Sequence, residues 1–141
     1  MGNIIIEFDG NLDAFAKQVG IDYTKVVKRV AFDIFGRIVR RTPVDTGRAR
    51  ASWNISIGKP DLTVAPEGQQ PVMNEVAAVA KAGAALATLT ERGLTEPIWI
   101  TNNLPYIVKL EEGHSQQAPK GMVVLSVEEV TLKMNLLTKV P

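Results

Sequence analysis

Apolar and polar positions alternate most clearly between residues 22 and 41, DYTKVVKRVAFDIFGRIVRR. Tyr23, Val26, Val27, Val30, Ala31, Ile34, Phe35, Ile38 and Val39 recur at i, i+3, i+4, i+7 and i+8. That period lays one apolar stripe along an α-helix of about five turns. Asp22 suits the N-cap, and Thr42 before Pro43 ends the helix near Arg41, because a residue preceding proline avoids the helical region. Gly36 sits beside the stripe, where glycine costs about 1 kcal/mol against alanine; it predicts a close approach between backbones.

Before this helix, NIIIEF is a short β-branched run closed by the turn residues DGN, which predicts a strand. Leu12, Phe15, Ala16 and Val19 follow with helical spacing up to Gly20. After the long helix, TPVDTG carries turn chemistry at Pro43, Asp45 and Gly47. ASWNISIG alternates as a strand, with Trp53, Ile55 and Ile57 on one face and Arg48, Arg50 and Ser52 on the other. KPDLTVAPEGQQP is proline-rich and poor in apolar residues, so burial alone does not offset the entropy of ordering it. It reads as a flap, mobile or ordered only against a neighbouring subunit.

The alanine-rich run from Val72 to Gly93 predicts a helix, and EPIWITNN a strand with Ile98 and Ile100 opposite Trp99. PYIVKLEEG reads as a second short extended piece or a half-turn. The run from Ala118 to Val140 fits a helix over most of its length, although GMVVLSV alone also suits a strand. The expected fold is α+β: one domain over residues 1–141, with a long N-terminal-half helix and a C-terminal helix packed on a small antiparallel sheet.

Composition adds exclusions. The 141 residues include no cysteine, which removes disulfides, thiolate nucleophiles and thiolate metal sites. MGNIIIEFDG lacks the basic and apolar regions of a signal peptide, and Ile6 stands where a myristoylation signal places serine or threonine. There is no run of about 18 apolar residues, so no membrane partner is expected. Net charge is +1.

Charge is unevenly distributed. Lys25, Lys28, Arg29, Arg37, Arg40, Arg41, Arg48 and Arg50 face only Asp33 and Asp45 within residues 25–50, a local charge of +6; the rest of the chain therefore sums to −5. Such a strip suits an acidic partner, nucleic acid or a solvated outer face. No helix-turn-helix, RNA-binding signature or zinc finger accompanies it.

His114, the chain's one histidine, lies beside Glu111 and Glu112. A catalytic zinc takes about three protein ligands, and one imidazole with no thiolate falls short. The bland alternative is an imidazole bonded to backbone in a tight Gly-His-Ser turn. No GxSxG elbow or phosphate loop is present. A small hydrolase built on Glu111 and His114 would require a deep pocket around them. No metal and no cofactor is expected.

Two segments carry a resemblance. The first is RRTPVDTGRARASWNISIG, with Pro43, Val44, Asp45, Thr46, Gly47, Arg48, Arg50, Ser52 and Trp53. The second is PIWITNNLPYIVKLEEGHSQQAPKGMV, with Asn102, Asn103, Pro105, Tyr106, Leu110, Glu111, Gly113, His114, Ser115, Gln117, Ala118, Pro119, Gly121 and Met122. Together with the helix before them they resemble the tail-completion, minor-tail-protein-Z-like proteins of long-tailed bacteriophages, over residues 22 to about 127. Ile107 and Val108 depart from a small residue common there, and Glu112 from an aromatic.

The resemblance implies a non-enzymatic virion protein at the top of the tail, made in the host cytoplasm. It implies a ring, sixfold like the tail tube. The partners would be further copies of the chain, a tail terminator or tail tube protein, and a head-side connector protein. DNA would pass through the lumen without sequence-specific binding. In such a ring Arg37, Arg41, Arg48, Arg50, Glu111 and Glu112 are candidates for the subunit interface or lumen. Arg48 and Arg50 would meet Glu111 and Glu112 of the next copy. The turn residues Pro43, Asp45, Gly47, Asn103, Pro105, Tyr106, Gly113, His114 and Pro119 would hold the motifs rigid. The alternative is a nucleic-acid-binding module using the strip from Lys25 to Arg50.

Overall fold

A computed structural model describes residues 4–7, 23–89 and 96–139. In chain order the elements are β1 (Ile4–Glu7), α1 (Tyr23–Arg41), α2 (Arg48–Ala51), β2 (Asn54–Ile57), α3 (Glu75–Ala85), β3 (Ile98–Asn102), α4 (Ile107–Glu111) and α5 (Val123–Lys139). The fold is α+β, as the patterning predicts, with helices packed on a small antiparallel sheet. The Asp22 cap and the helix expected between Leu12 and Gly20 lie outside the described residues.

The sheet has the order β1–β3–β2. The central strand β3 pairs antiparallel with both neighbours, Ile6 and Ile55 each standing opposite Ile100. Alternation sends Ile98, Ile100 and Ile55 into the core, where they meet Trp53 and the α1 stripe of Val27, Ala31, Phe35 and Ile38. Full burial of such side chains contributes about 1.5–3 kcal/mol each.

α1 carries α3 on one flank and α5 on another. Gly36 faces α3, where a Cβ would lie 3.2 Å from Glu75 Cγ and 3.5 Å from Val79 Cγ2. The neighbours at this glycine are α3 side chains and not the backbone that was expected there. Facing α5, Arg37 and Arg41 reach Glu129, and Lys133 reaches Asp33.

Two local readings change, and one ambiguity resolves to the expected helix. Arg48 and Arg50 lie in the short helix α2 rather than on a strand, and β2 begins only at Asn54. Opened by the TPVDTG turn, the chain makes one helical turn before it extends. Residues 107–111 likewise form a helix, not an extended piece. GMVVLSV is helical from Val123 onward.

The proline-rich flap is also not a free loop. Thr101 Oγ1 donates to Asp61 O and Asn54 Nδ2 to Thr63 O at 2.7 Å, while just before the segment Trp99 Nε1 donates to Gly58 O at 3.0 Å. Ala65 N donates to Ser52 Oγ, and Gln70 N to Thr46 O at 2.7 Å. The segment straps the polar face of β2 and β3. Its order comes from hydrogen bonds to half-buried and buried side chains, which a count of apolar residues does not register.

Candidate functional site

The turn residues of the first signature are held by the side chains that follow them. Arg50 Nε donates to Thr42 O at 2.8 Å, Nη2 to Arg40 O at 2.8 Å and Nη1 to Met73 O at 3.1 Å. One guanidinium thus satisfies carbonyls left over at the C-terminal end of α1, where a cation is also favoured by the helix dipole, and ties them to the segment entering α3. Burial pulls its pKa below the ordinary arginine value. Arg48 Nε donates to Ala65 O at 2.8 Å. Trp53 Nε1 donates to Thr42 Oγ1, whose hydroxyl donates to Ile38 O.

The second signature folds around Glu111. Its Oε1 accepts from Met122 N and Val123 N, both at 2.8 Å, and its Oε2 from Val124 N at 3.1 Å. The carboxylate therefore caps the N-terminus of α5, meeting orphan N–H groups and the positive end of the helix dipole. Its neighbour Glu112 is exposed and lies 4.0 Å from His114 Nε2. The His114 imidazole is 59% exposed, so the backbone-bonded ring expected at this turn is not what forms; it is the main-chain N–H of His114 that donates, to Lys109 O. Gly113 makes the turn with φ of 90°, and a Cβ there would collide with Pro119 O.

The two signatures meet. Gln117 Nε2 donates to Val44 O at 3.0 Å, while Gln117 Oε1 accepts from Val44 N at 2.8 Å. One side-chain amide clasps both main-chain groups of a residue 73 positions away. Beside the clasp lies an open cleft of about 470 Å³, lined by Pro43, Asp45, Arg48, Glu67, Tyr106 and Gln117 among others. Tyr106 is exposed at its edge, as are Asp45 and Glu67. His114 and Glu111 are not among its lining residues. Among the described residues no three His, Cys, Asp or Glu side chains are grouped as a metal requires. The cleft offers fixed peptide groups, a phenol ring and carboxylates, which suits recognition of another polypeptide.

The basic strip is largely engaged inside the chain. Arg37 donates to Asp33 at 2.5 Å and to Glu129 at 2.8 Å. Arg41 donates to Glu129 at 2.6 Å and to Ser126 Oγ at 3.1 Å. Hydrogen bonds from Arg41 and Arg37 hold Glu129 at a pKa of about 2. Burial pushes the Asp33 carboxyl up, but Arg37 and Lys133 outweigh it and leave it below the usual aspartate value. Of the interface candidates, Arg37, Arg41, Arg48, Arg50 and Glu111 all have partners within the chain; Glu112 stays on the surface. No helix among the described residues is long and apolar enough to cross a membrane.

Sequence reasoning missed the capping role of Glu111, the clasp by Gln117 and the pairing of Glu129. None carries a local signal, because each depends on a contact made by chain folding.

The two signature loops are thus interlocked and border an open cleft. The chain matches a family model described as "Bacteriophage HK97-gp10, putative tail-component" over residues 6–93. It therefore belongs to the HK97-gp10-like family of bacteriophage tail components. The match includes the TPVDTG signature and stops before the second one. Neither a curated protein nor a solved structure matches the chain.

Proposed function

We propose that this chain is a structural virion protein of the head–tail junction, closing the top of the phage tail as a ring and allowing the head to join. The observation that carries the reading is its membership of the tail-component family over residues 6–93. The rest of the reading comes from the two long signatures, whose clasped loops give a rigid, peptide-rich surface on which neighbours can dock. The ring is read as a hexamer, with a tail terminator or tail tube protein below, a head-side connector protein above and DNA crossing the lumen without sequence-specific contacts. Internal pairing of Arg37, Arg41, Arg48 and Arg50 leaves fewer cations for a nucleic-acid surface. That supports an assembly role over the nucleic-acid-binding alternative.

The test is genetic. Phage carrying an early stop in this gene should accumulate filled heads and separate tails that do not join. Normal joining in its absence would refute the proposal, and loss of tail tubes altogether would move the protein from the junction to the tube.

A further inference from the structure

The cleft between the two signatures carries two carboxylates that the fold leaves unused. Asp45 and Glu67 both line it, and both are exposed. Neither side chain makes an ion pair or a hydrogen bond among the described residues. Their backbones, by contrast, are pinned on either side. Asp45 stands between Val44, clasped by Gln117, and Thr46, whose carbonyl accepts from Gln70 N at 2.7 Å. Glu67 stands on the flap between two anchors. On one side Ala65 N donates to Ser52 Oγ and Ala65 O accepts from Arg48 Nε; on the other Gln70 Nε2 returns to Pro66 O at 3.0 Å. Unpaired carboxylates on a fixed main chain are preorganised acceptors, because the backbone beneath them has little freedom left to lose when a donor arrives.

We propose that this cleft seats an arginine or lysine side chain carried on a segment of a neighbouring virion protein. The inference rests on the assembly reading above and names what the cleft recognises. Charge selects the head group. Among the lining residues Arg48 is the one cation against two carboxylates; it pairs with neither, and its Nε is committed to Ala65 O. A cleft with net negative charge draws in a cation. The lining also selects an organic cation over a metal ion. Two carboxylates fall short of the six or more oxygen ligands that calcium takes, and among the described residues no third acidic or histidine side chain joins them. Tyr106 offers an aromatic ring to an ammonium or guanidinium. Pro43, Val44 and Leu110 offer apolar wall to the aliphatic stem of such a side chain. The Nη groups of Arg48, which carry no bond among the described residues, are donors for a main-chain carbonyl of the guest. At about 470 Å³ the cleft has room for a long side chain and the backbone that bears it.

The test places a photo-crosslinking side chain, p-benzoylphenylalanine, at Gln69, which is exposed on the flap beside the lining residues Glu67 and Gly68. Irradiated virions should yield one cross-linked partner polypeptide. Mass spectrometry should find the adduct in a segment that carries an arginine or lysine beside it. Asp45→Lys with Glu67→Lys should leave the melting temperature of the purified chain unchanged, since both side chains are exposed and unpaired. The same pair of changes should cut the adduct per incorporated copy by about tenfold or more, the effect of setting like charges together. If the lysine variant does not enter virions, Asp45→Asn with Glu67→Gln makes the same comparison. An adduct in a segment without arginine or lysine would overturn the proposal. So would an adduct undiminished by removal of the carboxylates, or irradiated virions with no adduct at all. Antibody label at the neck with no adduct sinks the cleft proposal alone. Label elsewhere on the tail with a charge-dependent adduct sinks the junction reading and leaves the cleft proposal standing.

Discussion

The side-chain amide of Gln117 hydrogen-bonds both the N–H and the C=O of Val44, at 2.8 and 3.0 Å. It joins the two signature loops as a strand residue would join a sheet, with no sheet present. Gln117→Ala should cost about 1–2 kcal/mol, from two net hydrogen bonds of about 0.5–1.5 kcal/mol lowered by exposure. Gln117→Glu should not restore it, because a carboxylate accepts from Val44 N but faces Val44 O without a donor. Urea unfolding of the two variants checks this; full stability in Gln117→Ala would show the clasp to be incidental.

Arg50 and Arg48 differ in how much they hold. Arg50 reaches three carbonyls through its planar fork, a geometry lysine does not reproduce. Arg50→Lys should lose about 2–3 kcal/mol, on the scale of charge-assisted hydrogen bonds. Arg48→Lys, with Ala65 O as its acceptor, should lose less than half as much. Thermal unfolding of both ranks them, and equal losses would contradict the account of α1 capping.

The adjacent glutamates should behave oppositely. Glu111→Ala leaves Met122, Val123 and Val124 N–H groups without their acceptor and should cost about 1–2 kcal/mol, the range of lost N-caps. Glu112→Ala should lie within about 0.5 kcal/mol of the parent, as surface changes do. In the same loop Gly113→Val should unfold the turn, whereas His114→Gln should keep fold and assembly. A tightly bound stoichiometric metal ion, lost in His114→Gln, would instead reinstate a metal role for the histidine.

The α1–α5 pairing predicts a response to acid. Glu129 has a folded pKa of about 2, depressed from the ordinary 4.5 by Arg41 and Arg37. A depressed carboxylate stabilises the fold above its unfolded pKa, and that contribution fades as pH falls from about 4.5 toward 2. Asp33 is shifted in the same direction, because Arg37 and Lys133 outweigh the effect of its burial. Glu129→Gln should flatten the acid limb of stability while lowering stability at pH 7. Hydrogen exchange across α5 follows it, and an unchanged acid limb would exclude the pairing as its source.

Much of this architecture was legible in the chain. The apolar period of α1, the alternation around Ile98 and Ile100 and the stop at Thr42–Pro43 are local signals, and local signals survive folding. Arg48 and Arg50 were misplaced on a strand because period-2 alternation over RARASW ignores the helical turn that Gly47 opens. The order of the flap is not legible in its own residues because it depends on Ser52, Asn54 and Thr101, side chains from elsewhere in the sequence. The candidate site was half legible. Both signatures were visible as unusual strings, but the Gln117–Val44 clasp that brings them together is a distant contact with no periodicity. The strip from Lys25 to Arg50 looked like a surface for a partner until Glu129, far down the chain, supplied one internally.

The central claim, a place at the junction of head and tail, is tested most directly by imaging purified virions in which this protein carries a small epitope bound by labelled antibody. The account predicts label confined to the neck, between the head portal and the first tail ring, at one ring of copies per particle. Label distributed along the tail tube, at the distal tip, or absent from finished virions would contradict it.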